Sequence, residues 1–241
     1  MATRRLIKTQ DWMARDPREA PAYGVAEASH YLRIPKATLR AWVAGQGDFR
    51  AVIGVPDHEG PPLLSFVNLV EVHVLDALRR QHLLPLPRLR RGLKLLSRLF
   101  PNTAHPLAKI DVHTDGFDLF VEHLDDLVNV TRDGQVEIRK MLEAHLRRVE
   151  RDEDGFAIRL YPFTRKRPLG LGGEILKDEP RSIVIDPRIS FGRPVLVGTG
   201  VPTGVIAERY KAGESIDELA ADYRRERLHI EEAIRCELEA A

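Results

Sequence analysis

Cysteine is nearly absent: Cys236 is the only one in 241 residues. That excludes an internal disulfide framework, and a zinc site would have to rest on His and carboxylates. Long apolar runs are missing too. No stretch approaches the roughly 20 residues that cross a bilayer, and residues 1–10 (MATRRLIKTQ) lack the apolar centre of a signal peptide. The expectation is a soluble chain that works in the cytoplasm and has no membrane partner. Also absent are a nucleophile elbow, a zinc-protease motif and a P-loop. The glycine cluster in residues 164–182 has neither the Lys-Ser/Thr nor the helix context that a phosphate cradle needs. No catalytic residue, metal or cofactor is therefore expected. His113, His123, Asp111, Asp115, Asp125 and Asp126 suggest a metal site only by composition, because they scatter over alternating faces of the strands expected there. Cys236 falls in an amphipathic last helix, where packing is its expected role.

What is present is charge, unevenly placed. Residues 1–100 carry 16 Lys and Arg against 9 Asp and Glu, a balance of +7, while residues 101–241 carry 21 against 27, a balance of −6. A basic front attracts phosphate backbones, and an acidic back suits a basic protein surface. Two different partners are expected.

The densest pattern lies in residues 23–45, YGVAEASHYLRIPKATLRAWVAG. Val25, Ala28 and Leu32 share one helical face, Ile34 and Pro35 interrupt it, and Leu39, Trp42 and Val43 resume it on a second helix. This is a helix-turn-helix. With those three residues inward, steps of about 100° leave Ala37, Ala41 and Ala44 outward, flanked by Thr38 and Arg40, with Lys36 at the start. Small outward residues let a helix approach a groove floor, and Lys, Thr and Arg meet phosphates or base edges. Residues 49–55 (FRAVIGV) and 63–66 (LLSF) flank a Pro- and Gly-bearing turn and predict a β-hairpin wing, placing Arg50 and His58 on the DNA backbone. Residues 67–82 predict an amphipathic helix with Leu69, Val72, Leu75 and Leu78 inward. Residues 86–100 predict another, with Arg88, Arg90, Arg91, Lys94 and Arg98 as a basic side that either is solvated or meets DNA or a partner. Through KATLRAW, the wing and SFVNLVEVHVLDALR, the front of the chain resembles the MerR-like winged-helix regulators. The resemblance implies that Lys36, Thr38 and Arg40 enter the major groove.

Residues 1–22 read as a mobile arm. Residues 101–163 read as a small α+β domain, with strands at 110–113, 117–121, 127–130 and 156–163, a turn at Asp115-Gly116 and a helix over 136–151. Residues 164–182 read as a linker. In residues 183–241, two short extended runs are separated by a turn at Asp186-Pro187, and the Gly198-Thr199-Gly200 turn precedes a helix opened by Pro202. Val205, Ile206 and Tyr210 form that helix's inward stripe and Gly213 ends it. Ser215 and Glu218 make a capping box for the next helix, and Ile230, Ala233, Ile234 and Leu238 define a third. The fold class expected is α+β, mainly helical: an N-terminal winged helix-turn-helix over residues 23–100, the middle domain, and a C-terminal three-helix, helix-turn-helix-like bundle preceded by short strands.

This end resembles the domain-of-unknown-function family numbered 433, through Asp186, Pro187, Ile189, Gly192, Pro194, Val195, Gly198, Thr199, Pro202, Gly213, Ser215, Glu218 and Leu219. Gly200 departs from the family's usual arginine. Such domains occur in bacterial VapB-type antitoxins. The resemblance implies an antitoxin of a type II toxin–antitoxin system, a homodimer that represses its own operon and neutralises a PIN-like ribonuclease toxin encoded by an adjacent gene. Operator DNA and that toxin are then the partners, with the acidic back half covering the basic surroundings of the toxin's acidic site. The alternative is a MerR-like transcriptional regulator whose middle domain answers to a small effector.

Overall fold

The computed structural model describes residues 16–47, 49–57, 59–80, 86–101, 103–112, 115–128, 132–165 and 179–238. Strand β1 (Tyr23–Gly24) leads into α1 (Val25–Leu32), a left-handed corner at Arg33 and α2 (Lys36–Ala44). The two expected helices form as the apolar spacing demands. Ala28, Leu32, Leu39, Trp42 and Val43 are buried, and Ile34 in the corner seals the two helices together.

The hairpin wing does not form as expected. Strand β2 (Leu63–Leu64) pairs antiparallel with β1, Tyr23 opposite Leu64, rather than with residues 49–55. That segment instead closes α2. Gln46 and Phe49 exchange backbone hydrogen bonds (2.9 and 3.0 Å), and the amides of Val52 and Ile53 both donate to the Trp42 carbonyl (2.7 and 3.0 Å). Satisfying the open end of α2 and burying Ile53 outweighs the β propensity of FRAVIGV.

Helix α3 (Phe66–Arg80) is the central pillar. It carries the expected buried Leu69, Val72, Leu75 and Leu78. Val70, Val74, Glu71, His73 and Asp76 are buried as well, so the helix is enclosed on all sides rather than half solvated. It packs against α5 (Pro106–Lys109) and α7 (Arg132–Leu146), while α4 (Leu86–Leu99) packs against α6 (Asp115–Val128).

The middle segment overturns the strand reading. Residues 117–121 and Leu127 lie inside α6, Asp115 and Gly116 open that helix instead of turning a hairpin, and residues 110–112 are not a strand. Residues 113, 129 and 130 lie outside the described set. Phe117, Leu119 and Val121 alternate as a strand would, but Phe117, Phe120 and Val121 are the buried set and Leu119 is 49% exposed. Asp115 and Asp118 in the first turn also favour a helix there. Helix α7 runs over 132–146 rather than 136–151. It is followed by a hairpin of β3 (Val149–Arg151) and β4 (Ala157–Leu160), Val149 opposite Leu160. A contiguous core runs from Tyr23 through Phe163 to Ile185, joining the front and middle segments.

The chain then enters a second, smaller core. Strand β5 (Ile183–Val184) pairs antiparallel with β6 (Val195–Leu196), and the isolated bridge of Leu160 with Ile185 ties the pair to β4. Helices α8 (Thr203–Lys211), α9 (Ile216–Tyr223) and α10 (Arg227–Glu237) complete it around Ile183, Leu196, Ile206, Leu219, Ile230 and Ala233. The Ser215–Glu218 capping box is present as read, with Ser215 Oγ accepting from the Glu218 amide at 3.2 Å and Glu218 Oε2 accepting from the Ser215 amide at 2.8 Å. Gly213 follows the end of α8 with φ +105°. Of the expected inward stripe on α8 only Ile206 is buried. Val205 and Tyr210 are exposed, as is Leu238 past the end of α10.

The expected arm and linker are anchored where they are described. Arg18 holds Asp16 through three guanidinium hydrogen bonds and reaches Asp152 at 2.8 Å, and its carbonyl accepts from the Val67 amide. Arg148 is buried and donates to the carbonyls of Tyr161, Pro162, Glu179 and Pro180, gathering both ends of the 164–182 stretch.

Candidate nucleic-acid interface

The first helix pair is closed at its corner by its own hydrogen bonds. Ser29 Oγ donates to the Ile34 carbonyl at 2.6 Å across the corner, and the Arg33 and Ile34 amides return to His30 and Ser29. Trp42 is the inner pillar of α2, so the opposite face is forced outward. Lys36, Ala37, Arg40 and Ala44 are exposed, with Thr38 and Ala41 half-buried beside them. Lys36 and Arg40 stand one turn apart, about 6 Å along the axis. Among the described residues neither is in an ion pair. Lys36, Thr38 and Arg40 are thus brought onto one helix surface.

Arg50 is exposed in the segment after α2, and its carbonyl accepts from the Arg90 guanidinium. The same guanidinium lies 5.9 Å from the Phe49 ring centroid, which draws basic helix α4 toward the end of α2. His58 lies outside the described residues. Arg91, Lys94 and Arg98 are exposed on α4.

Sequence reasoning missed how the C-terminal unit seats on this helix pair. Arg33, left-handed at φ 56°, turns its guanidinium onto the last carbonyls of α10: Cys236 at 3.1 Å, Leu238 at 3.3 Å, and Arg235. His30 Nε2 lies 3.7 Å from Glu237, and buried Tyr23 donates its hydroxyl to the Gly192 carbonyl at 2.9 Å. The His30 contact, with Thr203 and Arg33 adding to it against burial, holds the Glu237 carboxyl below its usual 4.5. The C-terminal unit therefore rests on α1 and the corner, and the outer face of α2 stays open. An arginine in a corner carries no periodic signal in the sequence.

Inside the C-terminal unit most charge is already matched. Glu232 is fully buried. Burial pushes its carboxyl up, but the Thr164 hydroxyl and the guanidiniums of Arg165 and Arg235 outweigh this and hold it below the usual value. Arg209 pairs with Glu214 and with Asp222 (2.6 Å), and Arg227 pairs with Asp217 (2.6 Å) and Glu231 (3.0 Å). Many acidic side chains of the back half are thus paired within the fold, although these partners belong to the same half and leave its net balance of −6 unchanged. Cys236 is buried, its thiol pushed up to about 12 by burial, which fits packing. Gly200 takes φ +70°, a backbone an arginine would adopt only with strain. Among the described residues no cluster of His, Cys, Asp or Glu has the make-up of a metal site, and no helix is long and apolar enough to cross a membrane.

A cleft of about 230 Å³ opens between the N-terminal segment, α5 and β4, lined by Arg18, Val67, Thr103, His105, Lys109 and Phe156. Lys109 Nζ sits 3.2 Å from the Phe156 ring centroid, and burial lowers the pKa of its ammonium. His105 Nδ1 meets buried Glu71 at 2.9 Å, and that contact raises the pKa of the imidazole.

Residues 183–235 match the family described as "Protein of unknown function (DUF433)". The chain is 31% identical over 233 residues to the Mycobacterium tuberculosis protein named "Putative antitoxin VapB45", covering 85% of this chain and 89% of that one. It is 27% identical over 231 residues to the uncharacterized protein Rv2308 of the same organism, covering 88% of each. The crystal structure of Rv2018 from M. tuberculosis superposes with a TM-score of 0.67 at 31% identity, over 89% of this chain and 98% of that one.

Proposed function

Because the chain belongs to the family of the VapB45 antitoxin of M. tuberculosis and carries a DUF433 domain at its C-terminal end, we propose that it is the antitoxin of a type II toxin–antitoxin pair. In this reading it works in the cytoplasm and performs no catalysis. Its C-terminal unit binds and neutralises a PIN-like ribonuclease encoded by the adjacent gene. Its first helix pair represses the shared operon, with Lys36, Thr38 and Arg40 in the major groove and Arg50 and His58 at the flanking backbone. It acts as a homodimer, because helix-turn-helix proteins commonly read two half-sites about one helical turn apart.

The observation that carries the DNA half of the reading is the open outer face of α2. That helix has small residues and unpaired cations outside and Trp42 inside, while the second unit is seated behind it on Arg33. Co-expression with the adjacent gene product tests the whole. A stable complex that suppresses a toxic ribonuclease is the expected result. A harmless neighbour that does not bind overturns the antitoxin reading.

A second reading, a regulator answering to a small effector, draws support from the 230 Å³ cleft. It predicts a small molecule that shifts operator affinity with no partner protein present.

A further inference from the structure

The turn between β5 and β6 presents an aromatic ring to solvent. Phe191 is 96% exposed, more than any other large apolar side chain described. Ser190 and Phe191 both adopt left-handed backbone, φ 48° and 57°, which costs about 1 kcal/mol or more per non-glycine residue and persists only where the surroundings enforce it. The enforcement is visible. Asp186 accepts from the Arg188 and Ile189 amides (2.9 and 3.0 Å), Ser190 Oγ donates to the Gly200 carbonyl (2.9 Å), and Tyr23 clamps the Gly192 carbonyl. A strained turn this well braced holds its ring in place rather than folding it away.

Two arginines of the same turn lie on either side of Phe191 in sequence. Arg188 and Arg193 are exposed and in no ion pair among the described residues. Arg188 acts on Asp16 through space, but Arg18 already holds that carboxylate. The adjoining 197–200 turn adds exposed Val197, and α8 adds exposed Val205. An exposed aromatic ring on a turn that also carries two exposed arginines has the composition of a protein-binding hot spot, whereas a phosphate-reading surface is denser in cations.

We propose that the Asp186–Arg193 turn is the knob by which this chain grips its toxin: Phe191 enters an apolar pocket, and Arg188 and Arg193 pair with carboxylates at that pocket's rim. The inference rests on the antitoxin reading, and it directs the knob at the acidic site of a metal-dependent ribonuclease rather than at its basic surroundings.

The test uses the full chain and the purified product of the adjacent gene, with binding to the DNA upstream of the operon measured in parallel. Phe191→Ala weakens toxin binding at least about thirtyfold, the size of a hot-spot loss, and leaves DNA affinity within about twofold. Phe191→Asn, which tolerates the left-handed backbone better, loses the same toxin affinity while melting at or above the wild-type temperature, separating binding from folding. The double change R188E with R193E weakens toxin binding and removes part of its salt dependence. Unchanged toxin affinity in Phe191→Ala overturns the knob and leaves the antitoxin reading standing. Loss of DNA affinity with toxin binding intact overturns it in favour of a nucleic-acid contact. A wild-type chain that does not bind the neighbour overturns both.

Discussion

The pair α1–α2 and the pair α9–α10 are built alike. Each leading helix spans eight residues, each ends in a left-handed arginine (Arg33 at φ 56°, Arg224 at φ 52°), and each corner returns two amides to the closing turn. Their second helices differ. Helix α2 buries one face and leaves Lys36 and Arg40 unpaired on the other. Helix α10 buries Ile230, Ala233, Ile234 and Cys236, ties Arg227 to Asp217 and Glu231, and has its last carbonyls covered by Arg33. Counterion release on DNA requires cations free to meet phosphates, and only the first pair supplies them on its second helix. One corner geometry thus presents free cations in one place, where we propose that DNA is read, and serves as a brace in the other.

The strongest way to break that comparison is to remove the pillar of the reading head. Trp42→Ala deletes a fully enclosed side chain and is expected to lower unfolding free energy by about 3–5 kcal/mol in denaturant titration, abolishing operator binding with it. Arg33→Ala acts between the two pairs. It removes charged donors from several carbonyls and is expected to weaken the seating of the C-terminal unit by about 1.5–3 kcal/mol, read as faster hydrogen exchange in α10 while α2 stays protected.

Acid is the gentlest probe. Glu237 and Glu232 are both held below their usual 4.5, so their contribution is fully present above about pH 4.5 and is lost as pH falls through their lower folded values. The C-terminal unit is expected to loosen from the first pair in that acidic window, read as faster hydrogen exchange in α10. Loosening on raising the pH from neutral instead would contradict these assignments.

What was legible in the sequence followed from periodicity with a single solution. Leu39, Trp42 and Val43 allow only one inward face for α2, and Ser215 with Glu218 marks one helix start. Residues 117–121 illustrate the opposite case: FDLFV fits period 2 through Leu119 and period 3.6 through Phe120, and only tertiary burial of Phe120 decides. Residues 49–55 carry strand-forming side chains, yet their amides complete α2 because its open end lay nearby. Val205 and Tyr210 fell outside the core because the buried face of α8 is made by Thr203, Ile206 and Ala207. Neither the Arg33 brace nor the Phe191 knob has a repeat or spacing; both depend on left-handed backbone that no side-chain pattern announces.

The division of labour between the two helix pairs is tested most directly by the salt dependence of binding to the DNA upstream of the operon. In the double variant Lys36→Ala with Arg40→Ala, the slope of log affinity against log salt is expected to become shallower by about 1.8, close to 0.9 per lost phosphate contact, while Arg227→Ala leaves it unchanged. An unchanged slope in the first variant, or a shallower one in the second, would contradict the assignment of α2 as the reading head.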